Sequence, residues 1–432
     1  MAMRVCIVPR RLTGTVKIPA SKSHTIRQLI IASLADGESE IINPLDSLDT
    51  RSCIAACRAF GAEISEHQID GELLSLKIKG NNSFKKGLNY HAPVDIGNSG
   101  TTFYLALAAA GLQSEWIEFT GDEQIQKRSA APLLEALACF GIEVQSSNGC
   151  APVKIRGPWK GGKASLPCPT SQYLSALLIA SPLAPAGTTT EIEVPLLNEK
   201  PYIDMTLSYL KANDITVKTA PDYSSFTVPG GYSWKAFSGA VPGDFSSAAF
   251  PAAAAAITGG PVSLSGLDLQ DTQGDKYFFE ILKEMGCTIH CGIDNGSSIT
   301  VLRDGILRGG SFDLNETPDL LPAAAVVAAF AHGDTRLYNI AHARIKETDR
   351  IAVMARELAK LGVCCTELPD GLVIHGKGSL FPAENPVIDG HGDHRIVMAF
   401  AAAALGSPFP VEITTAECAG VTYPRFFNML QS

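Results

Sequence analysis

The sequence predicts an α/β protein of two domains, built from six copies of one strand, turn and helix plan. Three observations carry that prediction. The chain has 432 residues, 46% of them hydrophobic, enough for two cores of ordinary size when a domain takes about 100 to 200 residues. Charged residues are 18% and aromatics 7%, with 39 Gly, a balance that suits packed α/β layers and not a coiled coil or a disordered chain. Six segments also share one pattern, and their turn positions Ser21, Ser99, Ser171, Ser246, Asp319 and His394 are separated by 78, 72, 75, 73 and 75 residues. Chance would not keep that register.

In chain order the segments are "VKIPASKSHTIRQLIIASLADG", "VDIGNSGTTFYLALAAAG", "ASLPCPTSQYLSALLIASPLAPAG", "GAVPGDFSSAAFPAAAAAITGG", "FDLNETPDLLPAAAVVAAFAHG" and "PVIDGHGDHRIVMAFAAAALG". Each leads from a strand through a short polar or glycine-containing turn into a helix of small apolar residues. These helices are apolar nearly all round, so they belong in the centre of a domain. Five repeats continue into a second helix with a polar face: "LDTRSCIAACRAFGAEI", "KRSAAPLLEALACFGIEV", "YIDMTLSYLKANDITV", "KYFFEILKEMGCTI" and "ETDRIAVMARELAKLGV". Each of these ends at a strand-like stretch. The sixth closes with "TYPRFFNMLQS" and needs its last elements from elsewhere, for which the N-terminal "RVCIVP" is the candidate. Three repeats per domain follow, one domain over residues 21–241 and the other over 1–20 plus 242–432, with crossings near Ala20 and Pro242.

With 35 Lys and Arg against 44 Asp and Glu, the net charge of −9 offers no global attraction to nucleic acid or anionic lipid. An anion site must therefore be local. The opening "MAMRVCIVPRRLTG" has no long apolar stretch, and the runs "LLPAAAVVAAFA" and "IVMAFAAAAL" fall short of a membrane span, so a cytoplasmic protein is expected. Eleven Cys are scattered through hydrophobic segments without CxxC pairs, which favours buried thiols. His391 and His394 of "HGDHR" lack a third ligand at convincing spacing, so a hydrogen bond or cap is expected there and no metal.

The N-terminus of a buried helix must satisfy about four free N–H groups, and Ser99, Thr101, Ser171, Ser246 and Asp319 can do so by capping. Capping does not explain the cations. Lys22, Arg27, Arg128, Lys200, Lys346, Arg350 and Arg395 all lie in or beside the turns, and helix N-termini add partial positive charge. Together they favour a cleft that binds phosphate and carboxylate.

At "SKSHTIR", "GNSGTT", the "KR" at 127 and 128, "TSQYLSALL", "GDFSSAAF", "RIKETDRI" and "DHRIVMAF", taken in order over the whole chain, the sequence resembles the 5-enolpyruvylshikimate-3-phosphate synthases. The resemblance implies the enolpyruvyl transferase fold, two domains each of three βαβαββ units, with the active site in the cleft between domains. It implies transfer of the enolpyruvyl group of phosphoenolpyruvate to the 5-hydroxyl of shikimate 3-phosphate, in aromatic amino-acid biosynthesis. Phosphate leaves after addition and elimination through a tetrahedral intermediate, with no metal or organic cofactor. A monomer is expected.

Carried over by motif, Lys22, Ser23 and Arg27 contact shikimate 3-phosphate, and Lys22 also meets phosphoenolpyruvate. Thr170 and Ser171 hold the shikimate phosphate, helped by Lys200 and Tyr202, while Gln172 lies between the substrates. Arg128 and the Gly100 backbone meet the phosphate of phosphoenolpyruvate, and Arg350 and Arg395 hold its carboxylate, a bidentate task suited to a planar guanidinium. Asp319 and Lys346 orient the ring hydroxyls. Proton transfer falls to Asp319 and Glu347, with Lys22 assisting. Glu347 has a plainer reading: "KETDR" on a helix can pair it with Arg350.

The chain departs from the family pattern at three positions. Tyr104 stands after "GNSGTT" where an Arg is common, Val421 precedes "TYP" where many members have Lys, and Glu199 stands where some use Ser for the shikimate phosphate. A raised Michaelis constant for phosphoenolpyruvate is the expectation. Tyr104 and Val421 also support a rival, a paralogue that binds shikimate 3-phosphate without turnover or with another donor, to which Asp319 and Glu347 are the objection. The sister transferase acting on UDP-N-acetylglucosamine commonly has a Cys after the second repeat's helix, and "GLQSEWIEFTGDEQ" has none. A nucleic-acid 3′-phosphate cyclase fits the acidic balance poorly.

Overall fold

The computed structural model describes residues 3–431 apart from 83, 85–87, 89, 91, 293–297 and 383–384. Contacts divide the chain into two units, Ala20–Val241 and Met1–Pro19 with Pro242–Ser432.

The Ala20–Val241 unit holds helices α1 (Lys22–Leu34), α2 (Leu48–Ala59), α3 (Gly100–Ala110), α4 (Ala131–Cys139), α5 (Gln172–Ala180) and α6 (Lys200–Ala212). The odd-numbered three are the small-residue apolar helices. α3 packs on both α1 and α5, and every residue of α3 except Thr101 is buried. The even-numbered three bury one face only, as α2 does with Cys53, Ile54, Ala56 and Cys57. Three four-stranded sheets surround them. In spatial order they are Ser238–Ala240, Glu38–Ile42, Glu72–Lys79 and Glu63–Ile69; Val94–Asp95, Ile117–Thr120, Cys150–Arg156 and Glu143–Ser147; and Gly162–Ser165, Thr189–Glu193, Ser225–Pro229 and Lys218–Thr219. In each the first pair is parallel and the next two are antiparallel.

The other unit repeats the plan with α7 (Phe245–Thr258), α8 (Tyr277–Glu284), α9 (Leu321–Ala329), α10 (Arg350–Lys360), α11 (His394–Leu405) and a short closing α12 (Phe426–Gln431). Here α7, α9 and α11 pack on one another, and α9 is buried throughout. One sheet runs Gly14–Lys17, Val262–Ser265, Ser298–Leu302, Thr288–Gly292, and a second Ser311–Asp313, His332–Tyr338, Gly371–Lys377, Cys364–Leu368. The third has three strands: Val387–Asp389 lies parallel to Val411–Thr414, on whose other side Val5–Ile7 pairs antiparallel, with Cys6 opposite Glu412.

Close approach recurs with the repeat. A Cβ on Gly80 would collide with the carbonyl oxygens of Ala32 and Ala35 at the end of α1, and one on Gly376 with those of Ala328 and Ala331 at the end of α9. No helix among the described residues is long and apolar enough to cross a membrane.

The expectation of buried thiols needs correction. Cys53, Cys57, Cys168 and Cys287 are buried, but Cys6, Cys139, Cys291 and Cys364 are exposed. Cys291 and Cys364 sit on the outermost strands of their sheets, and Cys139 on the last turn of α4, so hydrophobic neighbours in sequence put them beside the core without putting them in it.

Candidate functional site

In the Ala20–Val241 unit the polar turns meet around the starts of α1, α3, α5 and α6. Ser21 caps α1, its hydroxyl accepting the His24 N–H at 3.5 Å. Lys22 Nζ lies 3.0 Å from Oδ2 of Asp49, a buried carboxylate in the first turn of α2 that sequence reasoning passed over. Arg27 is buried, donating through Nε to Thr206 Oγ1 at 3.0 Å, through Nη1 to the Ser23 carbonyl at 3.1 Å and through Nη2 to Ser175 Oγ at 3.1 Å and the Tyr202 carbonyl at 3.3 Å. None of these partners is a carboxylate. Burial accordingly pulls the guanidinium down to about 10, against the opposing pull of Tyr209, Tyr202 and Glu199.

Ser99 caps α3 by accepting the Thr102 N–H at 3.4 Å. Gly100 begins the helix where its backbone faces three predicted or notable side chains. A Cβ there would stand 2.8 Å from Arg128 Nη1, 3.6 Å from Gln172 Oε1 and 3.8 Å from Tyr104 Cε2. Tyr104 and Tyr173, with rings 4.9 Å apart edge to face, both donate their hydroxyls to the Ser129 carbonyl, at 3.3 and 2.6 Å. Tyr104 thus braces the peptide next to Arg128. Gly100→Ala is expected to push the guanidinium aside with the melting temperature nearly unchanged, because the obstructed atom ends a flexible side chain. On the donor role that the resemblance implies for Arg128, the Michaelis constant for phosphoenolpyruvate should rise about tenfold, the loss of one charged hydrogen bond. Steady-state kinetics at saturating acceptor checks this, and an unchanged constant would remove Arg128 from donor binding.

Thr170, Ser171 and Gln172 lead into α5, and Lys200 and Tyr202 into α6. Ser171 makes no capping bond; its hydroxyl donates to Glu199 instead. Lys200 Nζ sits 4.3 Å over the Tyr223 ring, and the Tyr202 ring lies 6.0 Å from the Arg27 guanidinium carbon.

In the other unit the capping role expected of Ser246 belongs to Asp244, which accepts the Ser247 N–H at 3.2 Å. Asp319 does not cap either. It lies in the 3₁₀ turn Pro318–Leu320 ahead of α9, and its carboxylate bridges two arginines: Arg350 Nη1 to Oδ1 and Arg395 Nη2 to Oδ2, both 2.7 Å. Arg350 also donates through Nη2 to Glu347 Oε2 at 2.6 Å and through Nε to Asp393 Oδ2 at 2.8 Å. The ion pair between Glu347 and Arg350 therefore forms, but Glu347 stands in the bend before α10 and not on a helix. Burial would raise the Asp319 carboxyl; Arg395, Arg350 and Lys346 outweigh it and hold it far below the usual carboxylate range. Asp393 caps α11, accepting the Arg395 N–H at 2.9 Å, and so ties together the two motifs that carry the arginines. His391 Nε2 lies 3.1 Å from Glu357 Oε1, and His394 is buried in the first turn of α11.

Asp275, a residue the sequence did not single out, is buried and feels the charge of Asp319. One oxygen bonds the Ser246 hydroxyl, and Oδ1 has no hydrogen-bond partner among the described residues. Burial and then the charge of Asp319 push this carboxyl up to about 7, against Arg395 and the Ser246 bond. A carboxyl raised on folding stabilises the fold fully below its unfolded value near 3.9, and that contribution is lost as pH rises through about 7. Asp275→Asn should therefore gain on the parent protein between pH 5 and pH 8 by about 4 °C or more in melting temperature. A gap that does not widen with pH would show that folding leaves the Asp275 carboxyl unshifted.

Known structures define the class first. A solved EPSP synthase from Acinetobacter baumannii matches with a TM-score of 0.80 and 29% identity, over 99% of this chain and 97% of that one. The fold is that of the two-domain enolpyruvyl transferases. A family model described as EPSP synthase (3-phosphoshikimate 1-carboxyvinyltransferase) matches residues 8–430, and the chain belongs to this family. Among curated relatives, the 3-phosphoshikimate 1-carboxyvinyltransferase of Acetivibrio thermocellus is 43% identical over 97% of this chain and 96% of its own length. That of Methanothermobacter thermautotrophicus is 39% identical, covering 96% and 94%.

Proposed function

We propose that the chain transfers the enolpyruvyl group of phosphoenolpyruvate to the 5-hydroxyl of shikimate 3-phosphate and releases phosphate. The observation that carries the reading is the Asp319 carboxylate held ionised between Arg350 and Arg395. An acceptor fixed from both sides needs no reorganisation to meet an attacking hydroxyl, and it becomes a stronger base when a donor carboxylate draws Arg350 and Arg395 away from it. Lys346 orients the acceptor ring beside it, Arg350 and Arg395 meet the donor carboxylate, and Glu347 exchanges the proton of the methylene carbon. In the Ala20–Val241 unit Ser23, Arg27, Thr170, Ser171, Lys200 and Tyr202 serve shikimate 3-phosphate, Gly100 and Arg128 serve the donor phosphate, and Lys22 and Gln172 meet both substrates. Convergence of Gly100, Arg128 and Gln172 supports this assignment, as does the pairing with Asp49 that fixes the Lys22 ammonium at the start of α1.

We take the two units as the domains of three repeats each. The reading extends to a monomer, and to the cytoplasm because phosphorylated substrates do not cross a bilayer unaided. Phosphate release from purified protein given both substrates, with the carboxyvinyl product weighed by mass spectrometry, tests it. Absence of that product at millimolar substrate would overturn it.

A further inference from the structure

Three donors at the entrance to α5 already hold an anion that belongs to the protein. The Thr170 hydroxyl, the Ser171 N–H and the Ser171 hydroxyl converge on one oxygen, Oε2 of Glu199, at 3.1, 3.0 and 2.9 Å. Glu199 is only 3% exposed, and Thr170 and Ser171 are buried with it. Its backbone is unusual: at φ 59° it occupies the left-handed region, where a side chain other than Gly, Asn or Asp is uncommon. It directly precedes α6 but makes no side-chain cap there, so the carboxylate serves the α5 entrance and not its own helix.

The chemistry of a hydroxyl makes this exclusive. Ser and Thr hydroxyls each carry one donor hydrogen, and a backbone amide carries one. While Glu199 holds all three, an arriving phosphate finds only hydroxyl lone pairs and a like charge. Lys200, the next residue, has its ammonium over the Tyr223 ring, and the Glu199 carboxylate lends its charge to the buried Arg27 guanidinium.

We propose that Glu199 is a displaceable internal anion, occupying the seat for the acceptor's phosphate and setting the affinity and selectivity for phosphorylated acceptors. The proposal rests on the reading of Thr170 and Ser171 as the phosphate seat of a shikimate 3-phosphate enzyme. Phosphate enters only when the Glu199 carboxylate turns out of the seat, which opens the Ser171 amide and leaves the two hydroxyls free to reorient. Glu199 acts through those donors, so it is a specificity-determining residue and not a catalytic one. Its removal should therefore move the Michaelis constant for the acceptor and leave that for phosphoenolpyruvate in place.

The test is steady-state kinetics and calorimetric titration with shikimate 3-phosphate, on the parent chain, Glu199→Ser and Glu199→Gln, with unphosphorylated shikimate as the control ligand. Glu199→Gln keeps the shape and removes the charge, so it reports on the proposal even where the serine variant folds poorly. Both variants are expected to bind shikimate 3-phosphate about tenfold more tightly than the parent, the change from removing one charged competitor, with shikimate binding unaltered. Parent turnover with unchanged or weakened acceptor binding in both variants would overturn the role of Glu199 and leave the enzyme reading standing. Binding that appears only in the variants would support it in its strongest form. No binding or turnover in any of the three would overturn both.

Discussion

Replacing Arg350 with Met is expected to cost the fold about 3–5 kcal/mol, the loss seen when one partner of a buried charge network is removed. The side chain is 1% exposed and holds Asp319, Glu347 and Asp393 through different nitrogens. Burial alone would pull the guanidinium down, but Asp393, Glu347 and Asp319 reverse that and raise it above its ordinary value. Met fills much of the volume and leaves three carboxylates without the guanidinium that joined them, while Arg395 stays on Asp319. Arg350→Lys should fall between, at about 1–3 kcal/mol, because one ammonium cannot reach three carboxylates that a planar fork spans. Urea unfolding of the full chain measures both, and an unchanged m-value would place the effect in the native state. The sign with pH follows from Asp319. Its carboxyl is depressed in the folded protein, so the stability it contributes is present above the unfolded value near 3.9 and is lost as pH falls towards the folded value. The gap between parent and Met variant should accordingly narrow below about pH 4. A loss under about 1 kcal/mol at pH 7 would mean that water already screens the cluster.

The architecture was open to reading because the repeat writes itself into composition. A helix such as α9, "LPAAAVVAA", has no polar face to offer solvent, so it has to lie inside, and a regular spacing of such helices betrays the plan. Pairing of Val5–Ile7 with Val411–Thr414 follows from the same logic, since the sixth repeat stops short of its third strand. Caps were half legible. Ser21 and Ser99 do what their type and place suggest, whereas at α7 and α11 the cap is the aspartate of "GDF" and "DHR", one or two residues ahead of the position in register.

What lay hidden in the candidate site is the set of counter-charges. Asp49 meets Lys22 across 27 residues and Asp393 meets Arg350 across 43, distances over which no helical periodicity reports a contact. Asp275 sits in "TQGDKY", a stretch that reads as a polar loop, because burial of a loop carboxyl is decided by the elements packed around it. Glu199 was visible as a departure from pattern, but its effect was not: only the fold brings its carboxylate onto Thr170 and Ser171. Tyr104 is similar. In sequence it marks a missing cation, and in the structure it fixes the Ser129 carbonyl beside the cation that remains.

Asp319→Asn is expected to lower kcat by about 10²- to 10⁴-fold, the range for loss of a positioned general base. The amide keeps the size of the carboxyl and can still accept one arginine hydrogen bond, so the variant should fold, but it has no basic oxygen to take a proton. Donor binding should move the other way. In the parent, Asp319 engages Nη1 of Arg350 and Nη2 of Arg395, and any donor carboxylate competes with it for those groups. Removing its charge therefore leaves the Michaelis constant for phosphoenolpyruvate equal or lower, while kcat collapses. That split separates a catalytic part from a merely structural one, since disordering the arginines would raise the constant instead. The pH profile gives a second check. With Asp319 held well below the usual carboxylate range, its protonation cannot produce an acid limb above about pH 4, so any limb between pH 5 and 7 must belong to another group and persist in the residual activity of the variant. Retention of kcat within about threefold would transfer the proton to Glu347 or Lys22 and leave Asp319 as the clamp that aligns Arg350 and Arg395.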